Sequence, residues 1–540
     1  MADYIIVGGG AAGCVLAARL SEMPEASVLL LEAGPPDTDR LIHMPVGFYK
    51  MTDGPLTWGF RTAPLAHADG RVMVFPQGRV LGGGSSINAM VYTRGNAADY
   101  DAWATEDGCV GWAYADVLPY FRKAEDNERL SDAWHGTGGP LAVSDLVSPH
   151  YLTRTFVRAC QEAGIPYNPD FNGTVQAGAG LYQVTQRGGR RCSSAVGYLK
   201  DALKRPNLDL ITDCRVERLI VEGGRAVGVA YSRHGRQEVA RAESEVIVTA
   251  GAVGSPRLLL LSGIGPADEL RALGIEVVHD LPGVGRNFHD HIDAYVISEL
   301  SGPHSYDRHT RPHRMLMAGL EYQLFGKGPV TSNLAEGGAF VLTDPAEPSP
   351  DIQHHFLPGA GLEAGVPPVP SGYGCTLNAC YLRPKSRGSI RLRSADPAVA
   401  PVIDPNYWAE PSDMAASLRG IASAREIMAQ AAFRPFVRRE HLPGPDVTTR
   451  TDLEAYARRF GKTDYHPVGS CRMGTDDMAV VDPDCRLLGI EGLRICDSSI
   501  MPRVTSSNTN AASIMIGERA ADLVKGNRRA GDAAMPSRSG

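Results

Sequence analysis

A histidine suited to proton transfer stands in the polar segment 464–474, DYHPVGSCRMG. His466 is flanked there by proline and glycine rather than by a charged helix. Histidine has an unperturbed pKa of about 6.5, which suits a general base at neutral pH. We therefore take His466 as the candidate base, although a single histidine is more often a surface residue or a hydrogen-bonded core residue.

Two asparagines, Asn508 and Asn510, directly precede the last predicted helix, 511–524. Asparagine is a favourable helix cap, so at least one of them is expected to cap this helix. The other is a candidate donor of a hydrogen bond to a substrate oxygen.

The remaining histidines and serines do not form a recognisable metal or hydrolase site. His289 and His291 are two residues apart, and the pair 354–355 is adjacent, but neither pair has an evident third and fourth ligand. Ser85 and Ser86 lie in a glycine-rich segment without the GxSxG pattern of a nucleophile elbow. We therefore expect no metal site and no serine hydrolase.

A dinucleotide site is predicted at the N-terminus. Gly8, Gly10 and Gly13 follow the apolar run YIIV, and a second apolar run, VLLL, ends at Glu32. Glycines at this spacing allow a tight turn, close approach of backbone N–H groups to a pyrophosphate, and close helix–strand packing. The phosphates would lie at the positive helix N-terminus, and Glu32 can accept hydrogen bonds from ribose hydroxyls.

Later segments again contain the short apolar runs that predict strands. Apolar runs on both sides of residues 222–224 predict a hairpin, and 245–252 reads as a buried strand before a helix. Asp497 ends a short predicted strand, so it is either a ligand to a cofactor hydroxyl or a cap of the following turn.

The order of these patterns predicts two interleaved units. The region 301–460 differs in composition and contains an alternating strand at 389–393, which indicates an antiparallel layer. We predict an α/β fold (α+β overall) with a Rossmann-like nucleotide-binding domain and a discontinuous substrate-binding domain built on an antiparallel sheet. The predicted segments are 1–150, 205–300 and 461–526 for the nucleotide-binding unit, 151–204 and 301–460 for the substrate-binding unit, and 527–540 for a disordered tail.

Composition excludes several classes of function. The 540 residues are 43% hydrophobic and carry a net charge of -7, with no basic block for nucleic acid. No apolar run approaches the roughly 20 residues of a membrane span. The first strand begins by residue 4, so we expect no secretory signal peptide and a cytoplasmic location. The ten cysteines show no CxxC spacing and are expected to be buried or free thiols.

Together, four motifs resemble those of the glucose-methanol-choline (GMC) oxidoreductases, flavoproteins that oxidise alcohols. The motifs are the N-terminal glycine cluster with Glu32, GRVLGGGSSINAMVYTRG at 78–95, AGAVGSPRLLLLSGIG at 250–265, and YHPVGSCRMG with NTNAASIMIGERAAD near the C-terminus. Within the family, the segments 41–48, 167–173 and 191–199 are similar to those of L-sorbose dehydrogenases.

The resemblance implies roles for individual residues. His466 corresponds to the family's catalytic histidine, and Asn508 to its second catalytic histidine or asparagine. Covalent-flavin members carry histidine where this chain has Ile87, so FAD is expected to bind without a covalent link. The implied FAD contacts are Gly8, Gly10, Gly13, Glu32, Gly83, Asn88, Met90, Val91, Val216, Ala250, Gly251, Asp497 and Asn510.

The expected reaction is oxidation of an alcohol to an aldehyde or ketone, with a sugar or polyol as the favoured substrate. The electron acceptor is left open between a quinone, a dye and O₂. An aryl or furfuryl alcohol oxidase and a hydroxynitrile lyase with structural FAD are the alternatives.

Overall fold

The computed structural model describes residues 1–363 and 365–526, and the predicted tail 527–540 lies outside them. Two seven-stranded sheets organise this part of the chain. One sheet is mainly parallel at its centre and the other is antiparallel, which confirms the predicted fold class.

The first sheet contains the predicted βαβ unit. Ala2–Val7 pairs in parallel with Val28–Leu31 on one side and with the end of Arg236–Val248 on the other. The predicted hairpin is also present and joins this sheet through antiparallel pairing. The strand order is Leu208–Ile211, Val28–Leu31, Ala2–Val7, Arg236–Val248, Arg225–Arg233 and Cys214–Glu222, with Leu493–Ile495 also paired to Arg236–Val248.

Close helix packing covers the centre of this sheet. Ala11–Leu20 buries eight of its ten residues, because it lies between the sheet and the C-terminal helix Asn510–Val524. A Cβ atom at Gly517 would lie 2.9 Å from the Ala12 carbonyl oxygen. Glycine at 517 therefore lets the first and last helices approach closely, which joins the two ends of the chain.

The second sheet forms the predicted antiparallel layer. Its strand order is Val437–Leu442, Ile292–Leu300, Gly374–Tyr381, Ile352–Leu357, Gly337–Val341 and Gly178–Leu181, with Lys462–Thr463 also paired to Ile292–Leu300. A separate apolar core lies between this sheet and the helices Tyr151–Glu162 and Pro411–Met428.

Short sheets and helices complete the two layers. Four two-stranded sheets are formed by Glu125–Asn127 with Leu141–Val143, Gln186–Arg187 with Arg190–Arg191, Ile264–Gly265 with His279–Asp280, and Ser389–Arg391 with Val402–Asp404. The other α-helices are Arg40–His43, Gly84–Ile87, Ala97–Thr105, Tyr114–Ala124, Lys200–Ala202, Gly251–Leu261, Ala267–Ala272, Pro312–Phe325 and Arg450–Phe460. One π-helical turn spans Ala195–Leu199, and 3₁₀ helices span Pro45–Lys50, Tyr306–Thr310, Pro329–Thr331, Ala431–Phe433 and Ser498–Ile500.

Two segments predicted for the nucleotide-binding unit also contribute strands to the second sheet. Ile292–Leu300 ends the 205–300 segment, and Lys462–Thr463 begins the 461–526 segment. Their mutual pairing places residues 289–291 beside residues 464–466, a juxtaposition on which the site below depends.

All ten cysteines are buried and free, in agreement with the sequence prediction. Within residues 1–363 and 365–526, none of the helices combines the length and apolar character required to cross a bilayer.

Candidate active site

A cavity of about 330 Å³ lies between the two sheets. Glu32 and Val216 from the first sheet unit line it, and so do Leu357 and Asn378 from strands of the second. His466 and Asn508 line the same cavity. Every site residue predicted from the sequence lines this cavity except Gly13, which lies behind its wall.

The N-terminal glycine loop forms one part of the wall. Gly8 has a φ of 108°, and a Cβ there would lie 2.6 Å from the Thr249 carbonyl oxygen. A Cβ at Gly13 would overlap the Gly8 carbonyl oxygen, so Gly13 allows the helix to begin directly behind the loop. Gly10 is the N-cap of Ala11–Leu20 and provides no side-chain cap, which leaves the first N–H groups of this helix for an anion.

Glu32 follows the loop and is held by two backbone donors. Gly9 N and Gly34 N each donate to one of its carboxylate oxygens at 2.7 Å. Burial raises the pKa of Glu32 to about 7, because two backbone bonds only partly replace water around the charge. Ribose hydroxyls donating to the remaining lone pairs would favour the ionised form.

The second glycine cluster forms the adjoining part of the wall. Gly83 has a φ of 53°, and a Cβ there would lie 2.8 Å from Gly10 Cα, so the two glycine loops touch each other. Asn88 Oδ1 accepts from Met90 N at 3.1 Å and from Arg191 Nη1 at 2.7 Å. These bonds fix the turn that brings Met90, Val91 and the Ile87 side chain to the cavity.

Asp497 connects the later glycine segment to the C-terminal strand. Its Oδ1 accepts from Ser499 N at 2.8 Å and therefore caps the following turn, as one sequence alternative predicted. Its Oδ2 accepts from Gly251 N at 2.9 Å and from the Ser255 hydroxyl. Ala250, Gly251 and Asp497 thus form one bonded corner of the cavity wall.

The space beside Gly10 and Gly84 fits an elongated cofactor such as FAD. Neither glycine has a positive φ, and a Cβ at Gly10 would approach no protein atom closer than 3.8 Å. A Cβ at Gly84 would meet nothing within 4 Å. The protein's own packing does not require glycine at these two cavity positions, whereas close approach of a ligand does.

His466 and Asn508 meet at one end of the cavity. Asn508 Nδ2 lies 3.1 Å from His466 Nε2. The amide orientation follows from its other bonds, because Gln353 Nε2 and the Thr93 hydroxyl both donate to Asn508 Oδ1 at 3.1 Å. Asn508 therefore donates toward His466, and Nε2 of His466 accepts.

The tautomer of His466 is set by His291. Nε2 of His291 lies 3.2 Å from the Leu382 carbonyl oxygen, which can only accept, so this nitrogen carries the hydrogen. Burial lowers the pKa of His291 to about 3, which keeps its ring neutral and its Nδ1 an acceptor. Nδ1 of His466, at 3.0 Å from that acceptor, is therefore the donor, and Nε2 carries the lone pair, which accepts from Asn508 Nδ2 at the cavity wall.

A buried carboxylate lies beside the same ring. Asp464 Oδ2 is 3.4 Å from His466 Nδ1. Burial alone would raise the pKa of Asp464, but the charge that His466 gains on protonation, the contact with His355 and the Lys462 charge outweigh burial and hold this pKa well below its usual range. Burial lowers the pKa of His466 to about 4, and the Asp464 charge opposes that shift. The ring is thus neutral at pH 7 and has an anion ready to stabilise its cationic form.

Several polar atoms around this end lack a well-formed hydrogen bond among the described residues. They are both ring nitrogens of His355, Asn378 Oδ1 and Asp464 Oδ2, of which Asp464 Oδ2 makes only long contacts, 3.5 Å to His355 Nε2 and 3.4 Å to His466 Nδ1. All three residues line the cavity. Because unpaired buried polar atoms cost free energy, these positions suit a ligand with several hydroxyl groups.

Two sequence expectations about neighbouring residues need correction or extension. Neither Asn508 nor Asn510 caps the last helix, because Thr509 is its N-cap and no side chain makes a capping bond; Asn510 instead lines the cavity. The HDH segment makes hydrogen bonds that hold distant loops together. His289 Nε2 accepts from Val504 N, and Asp290 accepts from His466 N at 2.7 Å. In the described ranges, His, Cys, Asp and Glu form no group arranged to hold a metal.

His291, His355 and Asp464 are candidate site residues that sequence reasoning did not assign. The signal was partly visible, since all three lie in or beside polar segments already noted around 289–291, 354–355 and 464–474. Their meeting depends on strand pairing between distant segments.

Comparison with known proteins agrees with this architecture. GMC oxidoreductase family models match residues 2–293 and residues 384–517. An alcohol dehydrogenase [acceptor] of Pseudomonas putida is 46% identical over 530 residues, covering 97% of this chain and 96% of that protein. An oxygen-dependent choline dehydrogenase of Brucella suis biovar 1 is 43% identical over 528 residues, with 97% and 96% covered.

Solved structures show the same fold. Pyridoxine 4-oxidase from Mesorbium loti superposes with a TM-score of 0.87 at 32% identity, covering 96% of this chain and 98% of that one. A formate oxidase superposes with a TM-score of 0.91 at 26% identity, with 97% and 98% covered. The chain therefore belongs to the GMC oxidoreductase family, and it is an FAD enzyme that acts on the CH–OH group of its donor.

Proposed function

We propose that the protein oxidises a hydroxyl of a sugar or polyol, such as L-sorbose, to the aldehyde or ketone. FAD would bind without a covalent link, held by the glycine loops and by Glu32. When bound, FAD supplies the acceptor for the hydride that leaves the carbinol carbon.

The observation that carries the proposal is the opposed pair at the cavity end. His466 Nε2 offers a lone pair and Asn508 Nδ2 offers a hydrogen, and the two atoms are 3.1 Å apart. A substrate hydroxyl that replaces this direct bond would donate its proton to His466 Nε2 and accept a hydrogen bond from Asn508 Nδ2. The amide would then stabilise the negative charge that develops on oxygen, by about 2–4 kcal/mol by analogy with oxyanion donors.

The proton is accommodated by the surrounding residues. After transfer, His466 carries hydrogen on both nitrogens and its charge faces Asp464 at 3.4 Å. His466 and Asp464 are both at least nine-tenths buried, so little water competes for the developing charges.

The substrate class follows from the unpartnered atoms near this pair. A simple aliphatic alcohol would leave Asn378 Oδ1 and His355 Nδ1 without a hydrogen bond, at a cost of about 1–3 kcal/mol for each buried group, and would leave Asp464 Oδ2 with only its long contacts to the two histidines. Further hydroxyls on a sugar or polyol would donate to Asp464 Oδ2 and Asn378 Oδ1. We therefore favour a polyhydroxylated substrate over an aryl or furfuryl alcohol.

Anaerobic bleaching of the purified flavoprotein tests the proposal. L-sorbose and related polyols should reduce the flavin faster, at equal concentration, than furfuryl alcohol or 1-butanol. A faster reaction with furfuryl alcohol would refute the substrate class. Absence of bleaching by every alcohol, combined with cleavage of a cyanohydrin, would identify a lyase and refute the reaction itself.

The same purified flavoprotein can be used to identify the acceptor that reoxidises the flavin. We propose a dehydrogenase with a quinone or dye as acceptor, by similarity to the alcohol dehydrogenase [acceptor]. The reduced enzyme should then react faster with a quinone analogue than with O₂, and the opposite order would make it an oxidase.

A further inference from the structure

One surface helix carries its apolar side chains on the solvent side. Pro312–Phe325 buries only Ala318 and Tyr322, which are four residues apart and therefore lie on one face. Leu316, Leu320 and Leu324 are 65%, 47% and 70% exposed. They also repeat every four residues and so form a stripe on the opposite face.

This arrangement is the reverse of an ordinary surface helix. Such helices direct the apolar stripe toward the core and the charged face toward water. Met317, which lies beside Leu320 and Leu324, is also 65% exposed, and Met315 and Phe325, on the flanks nearer the buried side, are 51% and 70% exposed, so the apolar surface is wider than the leucine stripe. A contiguous apolar surface of this kind marks an interaction site. We call these six residues the outer apolar face: Met315, Leu316, Met317, Leu320, Leu324 and Phe325.

Cationic side chains surround the outer apolar face. Arg311 and Arg314 lie at the start of the helix and Lys327 lies just past its end, while Arg190 lies near Tyr322 on the buried side. None of these four cations has an ion pair with a carboxylate in the described ranges. Arg311 donates to the neutral Tyr373 hydroxyl at 2.7 Å, which leaves its charge without a counter-ion, so these cations can attract anions outside the protein.

The helix carries a single carboxylate among these cations. Glu321 turns back toward Gly328, where an added Cβ would contact its carboxylate. The protein as a whole has a net charge of -7, so the local positive patch is contrary to the global balance. Local cations around an apolar helix face are the pattern of a helix that lies in the interface of an anionic bilayer.

We propose that the outer apolar face docks the protein onto the surface of a membrane containing anionic phospholipid. The leucines and methionines would enter the boundary between headgroups and acyl chains, while Arg311, Arg314 and Lys327 at the two ends of the helix contact lipid phosphates. A second copy of the chain fits this surface less well, because a two-fold contact would bring the same cations together. The proposal does not depend on the substrate, since it concerns the surface alone.

The helix also connects the proposed membrane surface to the cavity wall. It packs against the short helices Tyr306–Thr310 and Pro329–Thr331. Tyr306 belongs to an apolar cluster with Phe48 and Ile87, both of which line the cavity. A membrane-docked protein would therefore hold this side of the cavity wall near the lipid.

Co-sedimentation of the full-length flavoprotein with vesicles tests the proposal. Wild-type protein should bind vesicles that contain phosphatidylglycerol, bind pure phosphatidylcholine more weakly, and dissociate as salt is raised. A variant with Leu316→Gln, Leu320→Gln and Leu324→Gln should bind these vesicles at least about tenfold more weakly than wild type. Replacement of Arg311, Arg314 and Lys327 by Gln should weaken binding about fivefold for each cation removed.

Controls separate docking from folding and from self-association. Val239→Gln changes an exposed apolar residue elsewhere, 59% exposed, and should leave vesicle binding unchanged. Flavin content and melting temperature should be equal in all variants. Equal vesicle binding by wild type and the leucine variant, or none by wild type, would overturn the proposal. If sedimentation equilibrium shows a dimer for wild type and a monomer for the leucine variant, the outer apolar face binds a second copy of the chain instead.

Discussion

Neutralising Asp464 should slow substrate oxidation without loss of bound FAD. The carboxylate lies 3.4 Å from Nδ1 of His466, and its ionised form is favoured in the folded protein. Asp464→Asn keeps the shape of the side chain and removes only the charge. The neutral His466 of the resting state loses little, whereas the imidazolium formed by proton transfer loses its counter-ion.

The magnitude follows from the distance. Two unit charges 3.4 Å apart interact by about 5 kcal/mol at an effective dielectric constant of about 20. If about half of the imidazolium charge has developed in the transition state, the barrier rises by roughly 2 kcal/mol. The rate of flavin reduction by alcohol should therefore fall roughly thirtyfold.

Anaerobic stopped-flow bleaching of the bound flavin measures this rate. Glu363→Gln is the matched control, because Glu363 belongs to the same acidic cluster but is bonded to Lys462 and Asn378 instead of His466. The control should reduce its flavin at a rate close to that of wild type. An unchanged rate in Asp464→Asn, or an equal loss in the control, would refute the stabilising role of this carboxylate.

Three further outcomes are expected. The pKa of Glu32 in the ligand-free protein is about 7 and bound ribose favours its ionised form, so FAD affinity should fall as pH drops below 7. The Glu32→Gln variant should bind FAD more weakly than wild type at pH 8, and its affinity should not depend on pH in this range. A persistent pH dependence in the variant would assign the effect to another group. His291→Phe removes the acceptor that fixes the His466 tautomer, so flavin content should stay constant while its reduction slows about tenfold or more; an unchanged reduction rate would contradict the tautomer argument. Gly13→Ala should lower the melting temperature and FAD content, because its methyl group overlaps the Gly8 carbonyl, whereas Gly319→Ala, with no atom within 4 Å, should do neither; FAD retention by Gly13→Ala would show that the loop adapts.

Local patterns were sufficient to predict the nucleotide-binding half. The strand ending at Val7, the helix beginning at Ala11 and the strand ending at Leu31 depend on neighbouring residues and on glycine turn geometry, so their spacing predicts them. The hairpin around residues 222–224 and the last helix follow in the same way.

Nonlocal contacts explain what the sequence did not reveal. His291 and His466 are 175 positions apart, and they meet because Ile292–Leu300 pairs with Lys462–Thr463. No periodicity within either segment predicts that pairing, so the tautomer of His466 and the carboxylate beside it needed the structure.

The helix Pro312–Phe325 shows a different limit. Its leucines repeat at helical spacing, and a pattern-based interpretation would direct them into the core. The structure places Ala318 and Tyr322 inside instead, where the helix packs against Tyr306–Thr310 and Pro329–Thr331.

The most direct test of the central claim is the reduction of bound flavin by alcohol in His466→Ala. The variant should be purified with its FAD, because His466 lies at one end of the cavity and the glycine loops with Glu32 remain intact. Its flavin should be bleached by substrate about 10²–10⁴-fold more slowly than in wild type, while His441→Ala should match wild type. Bleaching of the His466→Ala flavin at the wild-type rate would show that another group removes the proton.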